Sequence, residues 1–339
     1  MPEAECGSTW AVARFVERGN GRTALASNRA MKRPLISALL LASALALSLA
    51  AHAQHEGLVP TQALVNVDAK STPPASASAL TVAVNDRKQP LTAWSPVAPA
   101  NAQVALLIDD GLRESVGREL DSLRSFVRTL APGVEVLVGY MQYGHVVEDQ
   151  GFTADHALAA STVHLPVGLA GMSASPYLCL SDFVKNWPNS GPSLRAKARF
   201  ILMLTNGVDP YNGSTSVMNQ GSPYVDNAVA DAQRAGVAVY AIYFGDAGME
   251  GGSVNNSGQN YLSQLTAGTG GIDLWEGVGN PVSTAPFLSK FQSALAETYI
   301  ATFNAPLGNN PAHDLVRVKF TAAKTKLRAP EQVRPGNQE

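Results

Sequence analysis

The sequence predicts an α/β fold: a doubly wound, mostly parallel sheet with helices on both faces, plus flanking β-strands. Short apolar runs suited to strands buried on both faces recur at Val104 to Ile108, Val134 to Tyr140, Phe200 to Leu204 and Val237 to Phe244. Helical spacing separates them, most plainly in the stripe Val116, Leu120, Leu123, Phe126, Val127 and Leu130. Turn and cap residues punctuate the alternation: Pro132-Gly133 stops one helix, Ser175-Pro176 opens another and Gly236 closes a third. Strands alternating with helices imply parallel crossovers and a sheet covered on both sides.

Taken in order, residues 1–30 carry neither a leader nor a core pattern and are assigned to an upstream non-coding or disordered segment. Met31-Lys32-Arg33 is a short basic stretch, Leu35 to Ala51 is almost wholly apolar, and Ala51-His52-Ala53 offers small residues at a cleavage site. Residues 31–53 therefore have the pattern of a signal peptide, with Met31 as the expected start. That places the mature chain in the periplasm or outside the cell, with no transmembrane helix after cleavage. Residues 54–78, rich in Ala, Ser and Pro, are expected to be a linker.

Alternation at Leu80, Val82 and Val84, a turn at residues 85–88 and a return at Leu91 to Trp94 predict a β-hairpin-like lead-in over 80–100. The main domain is expected over 101–304, with a C-terminal strand and tail at 305–339. Further helices are expected from about Ala154 and over Tyr224 to Ala235, Tyr261 to Thr266 and Phe287 to Ala296. Strands are expected at Ile272 to Trp275, Tyr299 to Phe303 and Leu315 to Phe320.

Composition excludes some functions. The formal net charge is −2 and no long run of like charge occurs, so nothing supports non-specific binding to nucleic acid or anionic membranes. Of two cysteines, Cys6 lies upstream of the signal, so the mature chain keeps Cys179 alone, expected to be buried and inert. The histidines show no metal-ligand spacing. Gly171 to Ser175 lacks the fifth-position glycine of a nucleophile elbow, and no other hydrolase signal stands out. The glycine-rich stretch Gly245 to Gly252 has the wrong spacing for a dinucleotide turn and reads as a surface loop. No enzymatic activity is expected.

In doubly wound sheets ligands bind at the carboxyl ends of the strands. Three loops there draw attention: Asp109-Asp110-Gly111-Leu112-Arg113, Gly171 to Ser175, and Thr205 to Pro210. These loops, with the stretches VALLIDD (104–110), SPYLCLSD (175–182), ILMLTNGVDP (201–210), AQRAGVAVYAIY (232–243) and GQNYLSQ (258–264), resemble the von Willebrand factor A domain. The likeness is greatest to the related group of secreted bacterial proteins and spans roughly residues 80–321, within a Rossmann-like architecture.

The resemblance implies a metal-ion-dependent adhesion site: Asp-x-Ser-x-Ser in the first loop, Thr in the second and Asp in the third. Mg²⁺ there takes about six oxygens. This sequence departs from that pattern. Asp109 matches, but Gly111 and Arg113 stand at the serine positions and Asn206 at the third-loop Asp. Ser173 or Ser175 stands in for the Thr.

Two readings follow. Weak Mg²⁺ (or Mn²⁺) binds through Asp109, a serine such as Ser173, and Asp209; or the ion is lost and Arg113 pairs with Asp109 or Asp209. The second is favoured, because Mg²⁺ tolerates poor geometry badly. Asp110 and Asp209 are the residues that could compensate. No firm cofactor is therefore implied. Tyr211, Tyr224, Tyr243 and Tyr261 are candidate anchors for a partner. The expected function is a protein-binding module, for adhesion or interaction, with a degenerate metal site formed by Asp109, Asp110, Gly111, Arg113, Ser173, Ser175, Asn206 and Asp209. The alternative is a structural component of the cell envelope that assembles through the flanking strands; an uncharacterised hydrolase ranks last.

Overall fold

A computed structural model describes residues 57–68, 77–112, 114–168, 175–188, 197–210, 221–245, 252–277, 279–323 and 325–337. The upstream segment and the signal peptide lie outside the described residues, as do Arg113, Ser173, Tyr211 and most of the glycine-rich stretch after Gly245.

The described chain opens with strands β1 (Leu58–Val67), β2 (Leu80–Val84), β3 (Arg87–Gln89) and β4 (Leu91–Pro96). The α/β part follows as β5 (Ala102–Asp109), α1 (Leu120–Arg128), β6 (Glu135–Gln142), β7 (His145–Thr153), α2 (His156–Ser161), α3 (Pro176–Lys185), β8 (Ala198–Thr205), α4 (Pro223–Ala235), β9 (Val237–Tyr243), α5 (Gly252–Thr269), β10 (Asp273–Leu274) and α6 (Ala285–Ala296). Strands β11 (Thr298–Pro306), β12 (Val316–Ala322), β13 (Leu327–Arg328) and β14 (Gln332–Val333) close it.

The central sheet has the order β10-β9-β8-β5-β6-β7. All its pairings are parallel except the edge pair β6–β7. Counted from β5, this is the 3-2-1-4-5-6 order of the doubly wound class. Strand β5 lies in the middle and every one of its residues is buried. Its alternate side chains serve two cores. Val104, Leu106 and Ile108 pack with Leu123, Phe126, Leu288 and Phe291 on one face. Ala105 and Leu107 pack with Leu180, Phe183, Val225 and Leu265 on the other. Two apolar faces explain why the strand reads as a continuous hydrophobic run.

Local chemistry sets the boundaries. Asp155 caps α2 by accepting the Leu158 amide at 2.9 Å. Gly236 ends α4 in the left-handed region at φ 66. The tight β6–β7 connection turns through Tyr143 and Gly144, at φ 46 and 88.

The flanking strands form two further four-stranded sheets, ordered β13-β1-β11-β4 and β14-β12-β2-β3. They enclose a third core that includes Ala63, Val82, Val84, Phe303, Ala305, Val316 and Val318. This corrects two expectations. Within the predicted linker, Leu58–Val67 is a ten-residue strand paired with β11 from Leu58↔Pro306 to Asn66↔Thr298. Its Thr61, Ala63, Val65 and Val67 point inward and are buried. The lead-in is also not one hairpin: β3 stays with β2, whereas β4 crosses to the other sheet and pairs with β11. Pro90, between them, cannot donate a ladder hydrogen bond and marks the switch.

Helix α5 starts at Gly252, earlier than the expected Tyr261. The small and polar residues ahead of Tyr261 hide a helix whose period shows only where it meets the core. Tyr243 and Tyr261 are buried and Tyr224 is partly buried against the same core, so these three brace the domain.

Cys179 is fully buried, and burial pushes its thiol up to about 12. Against an ordinary cysteine, its thiolate population near pH 8 falls by roughly three orders of magnitude. The mature chain, which carries Cys179 alone, should therefore show almost no reaction with an aromatic disulfide reagent at pH 8, and one equivalent in denaturant, by absorbance. Rapid reaction of the native protein would contradict this burial.

Candidate functional site

The carboxyl ends of β5 and β8 bring the first and third loops together. Asp109, the last residue of β5, is buried at 3% exposure. Its Oδ1 accepts the Gly111 amide at 2.9 Å, which turns the chain sharply out of the strand. Its Oδ2 accepts the Thr205 hydroxyl at 2.6 Å. Thr205 Oγ1 in turn accepts the Gly207 amide at 3.1 Å, so a single chain of hydrogen bonds joins the two loops.

Asp110 serves a different purpose. Its Oδ1 accepts the Val167 amide at 2.9 Å. A Cβ on Gly168 would lie 2.2 Å from its Oδ2, so this close approach requires glycine. Asp110 therefore binds the first loop to the 167–168 segment.

The third loop is organised from within and from below. Asn206 Oδ1 accepts the Val208 amide at 3.0 Å, an Asx turn. Asp209 Oδ2 accepts the Ser222 hydroxyl at 2.5 Å. The same Ser222 oxygen caps α4 by accepting the Tyr224 amide at 3.2 Å. From α3, Tyr177 donates its hydroxyl to the Gly207 carbonyl at 2.7 Å. Burial, then the charges of Asp209, Tyr261 and Asp109, raise the Tyr177 hydroxyl well above the usual tyrosine range. Both carboxylates thus act on the first turn of α3.

Ser175 stands at the start of that turn, before Pro176, and is fully buried. Its hydroxyl does not cap the helix and has no hydrogen-bond partner among the described residues. Leaving a buried hydroxyl unsatisfied costs about 1–3 kcal/mol. Ser222 occupies the same Ser-Pro position on α4 and is satisfied twice over, so an idle hydroxyl is not a requirement of the motif.

Of the residues marked in the sequence, the structure connects Asp109 and Gly111 by a direct hydrogen bond, places Asp209 and Ser175 on the neighbouring loop and helix, and directs Asp110 and Asn206 into loop-holding bonds. Thr205, Tyr177 and Ser222 were missed. The Ser-Pro pair at 222–223, matching the one at 175–176, is the signal that could have found Ser222.

The oxygens of the described residues fit an octahedral Mg²⁺ poorly. Gly111 offers no side-chain oxygen, Asn206 turns its oxygen into its own loop and Asp110 faces the 167–168 segment. Among the described residues no three His, Cys, Asp or Glu side chains cluster as a metal group. The histidines serve elsewhere: His145 meets Asp182 at 3.1 Å and His164 meets Asp149 at 2.5 Å.

No family model and no curated protein matches the chain. Similar solved structures include the conserved hypothetical protein BatB from Bacteroides thetaiotaomicron, at 13% identity and a TM-score of 0.40, covering 57% of this chain and 97% of that one. A von Willebrand factor type A structure from Catenulispora acidiphila is 12% identical, with a TM-score of 0.38, and covers 81% of this chain and 74% of that one. Proximal thread matrix protein 1 from the mussel byssus, with a zinc-occupied adhesion motif, is 12% identical at a TM-score of 0.37, covering 63% and 49%. In strand order the α/β part is von Willebrand factor A-like in fold.

Proposed function

We propose that the chain is a non-enzymatic protein-binding module of the periplasm or the cell exterior, which engages its partner at the carboxyl-end loops. The observation that supports this most is the buried, idle hydroxyl of Ser175 beside loops already braced by Asp109, Thr205 and Asp209. Such a group is retained against its desolvation cost where a bound species completes it. The braces hold the loops fixed, so association loses little conformational entropy.

The degenerate donor set favours direct polar contacts with the partner over a tightly held ion. Any Mg²⁺ or Mn²⁺ would bind weakly, through Asp109, Ser175 or Ser173, and Asp209. The predicted signal peptide supports export, and among the described residues no helix is long and apolar enough to cross a membrane.

Ser175→Ala separates this reading from a structural one. Removing an unsatisfied hydroxyl leaves stability unchanged or raises it by about 1 kcal/mol. Partner capture from an envelope extract by the mature chain should nevertheless fall at least tenfold, as it should for Asp109→Asn. Undiminished capture by both variants would overturn the proposal. Calorimetric titration with Mg²⁺ should show no binding tighter than the millimolar range; micromolar binding lost in Asp109→Ala would restore the metal to the site.

A further inference from the structure

At the opposite pole of the α/β domain lies a cavity of about 380 Å³. It is bounded by the amino ends of β8 and β9, the last turns of α3 and α4, strand β1 and the C-terminal segment that carries Arg334. The volume falls within the range of small-molecule sites, about 300–1,000 Å³, and the junction of two cores is a common place for one.

Its lining is strongly one-signed. Lys185, Lys197, Arg199, Arg234 and Arg334 face it, with Asp231 as the lining carboxylate. Two acids are committed to ion pairs there. Asp231 meets Arg234 at 2.8 Å and Lys185 at 3.4 Å, and Glu135 meets Lys197 at 2.5 Å. Among the described residues, cations of the lining outnumber these two carboxylates five to two, in a chain whose formal net charge is −2.

Helix dipoles explain part of this: Lys185 and Arg234 lie in the last turns of α3 and α4, where cations are favoured. Lys197, Arg199 and Arg334 belong to neither helix; Lys197 is held by Glu135, and Arg199 lies over the Trp187 ring, 5.3 Å from its centroid. Low-dielectric walls focus the field of such a cluster into the cleft. Between the charges the wall is apolar, formed by Leu64, Val184, Trp187, Val237 and Ile300.

We propose that this cavity binds a small organic anion, a carboxylate or phosphate carried on an apolar body. The anionic group meets the Lys197, Arg199 and Arg334 side of the cleft, and the body lies against the apolar wall. The site is independent of the carboxyl-end loops.

Calorimetry on the mature chain tests it with phenyl phosphate, benzoate, benzamide and inorganic phosphate. The expected result is saturable binding of phenyl phosphate and benzoate, at least tenfold weaker binding of benzamide and inorganic phosphate, and weakening as salt is raised. Lys185→Glu, at a side chain 58% exposed and so compatible with folding, should reduce anion affinity at least fivefold. Arg334→Glu should do the same, and Ser175→Ala should leave it unchanged. No saturable binding of either organic anion, equal binding of benzamide, equal binding of inorganic phosphate, or indifference to both charge reversals would overturn the proposal.

Discussion

Gly258→Val is expected to destabilise the domain by roughly 3 kcal/mol or more, combining an overpacking cost of about 1–3 kcal/mol with the lower helix propensity of a β-branched residue where the backbone must also move. Gly258 lies on α5 with its Cα against the third loop, and a Cβ there would sit 2.2 Å from the Asn206 carbonyl oxygen. The obstacle is backbone, so no side chain can swing aside. From the other side, Gly207 holds φ +67, and its own Cβ would lie 2.6 Å from the Gly258 carbonyl. Two glycines thus let helix and loop touch backbone to backbone.

Gly258→Ala is the sharper test of sign. In an ordinary helix interior that change gains about 1 kcal/mol. Here it should lose stability, measured as a lower urea midpoint at unchanged slope. A gain in stability would mean that α5 does not press on the loop. The same displacement should move Asn206 and Gly207, and with them the carbonyl that accepts the Tyr177 hydroxyl, so partner capture should fall along with stability.

Removal of residues 57–68 is expected to abolish the sandwich. Strand β1 sits between β13 and β11, so its loss strips ladder partners from both and exposes Phe303 and Ala305. Phe303 is fully buried and packs edge-on to Phe320 at 5.8 Å. Phe303→Ala alone should cost about 3–5 kcal/mol. The truncated chain should show rapid proteolysis within residues 298–333 and a lower thermal midpoint, whereas trimming a true linker would change neither. Identical melting of truncated and mature chains would show that the strand contributes nothing. The two domains need not unfold together, so proteolysis and melting are the appropriate readouts, not one global free energy.

Much of the α/β part was legible because its signals are local. Strand β5 reads as Ala-Leu-Leu-Ile because both its faces are covered, and the period of α1 survives because it lies on one face of the sheet. Ser-Pro and Gly236 mark helix ends by chemistry confined to a few residues. Strand β1 was missed for the opposite reason. Its sequence, LVPTQALVNV, carries a proline and buried polar residues such as Thr61 and Asn66, one on each face, and it looks like the Ala-, Ser- and Pro-rich stretch after it. Asn66 is buried because its amide donates to the Ala294 carbonyl at 3.0 Å, a partner 228 residues away.

The candidate site divides along the same line. The first and third loops could be placed from sequence, since they follow strands of a doubly wound sheet, whereas residues 171–174 of the second lie outside the described residues. What each side chain does there could not. Asp109 and Asp110 are chemically identical neighbours, yet one joins the first loop to Thr205 and the other holds the 167–168 segment. Ser222 and Ser175 share a motif, yet among the described residues the first hydroxyl is bonded twice and the second not at all.

By itself the sequence determined the parallel sheet, its helices and the position of the first and third loops, because hydrophobic period and cap chemistry act within a few residues of the chain. Only the tertiary structure decided the sandwich closed from both ends of the described chain, the separate duties of the paired acids and serines, and the cationic cleft. Those depend on which distant surfaces meet, and the free energy of such contacts is carried by partners that no local pattern names.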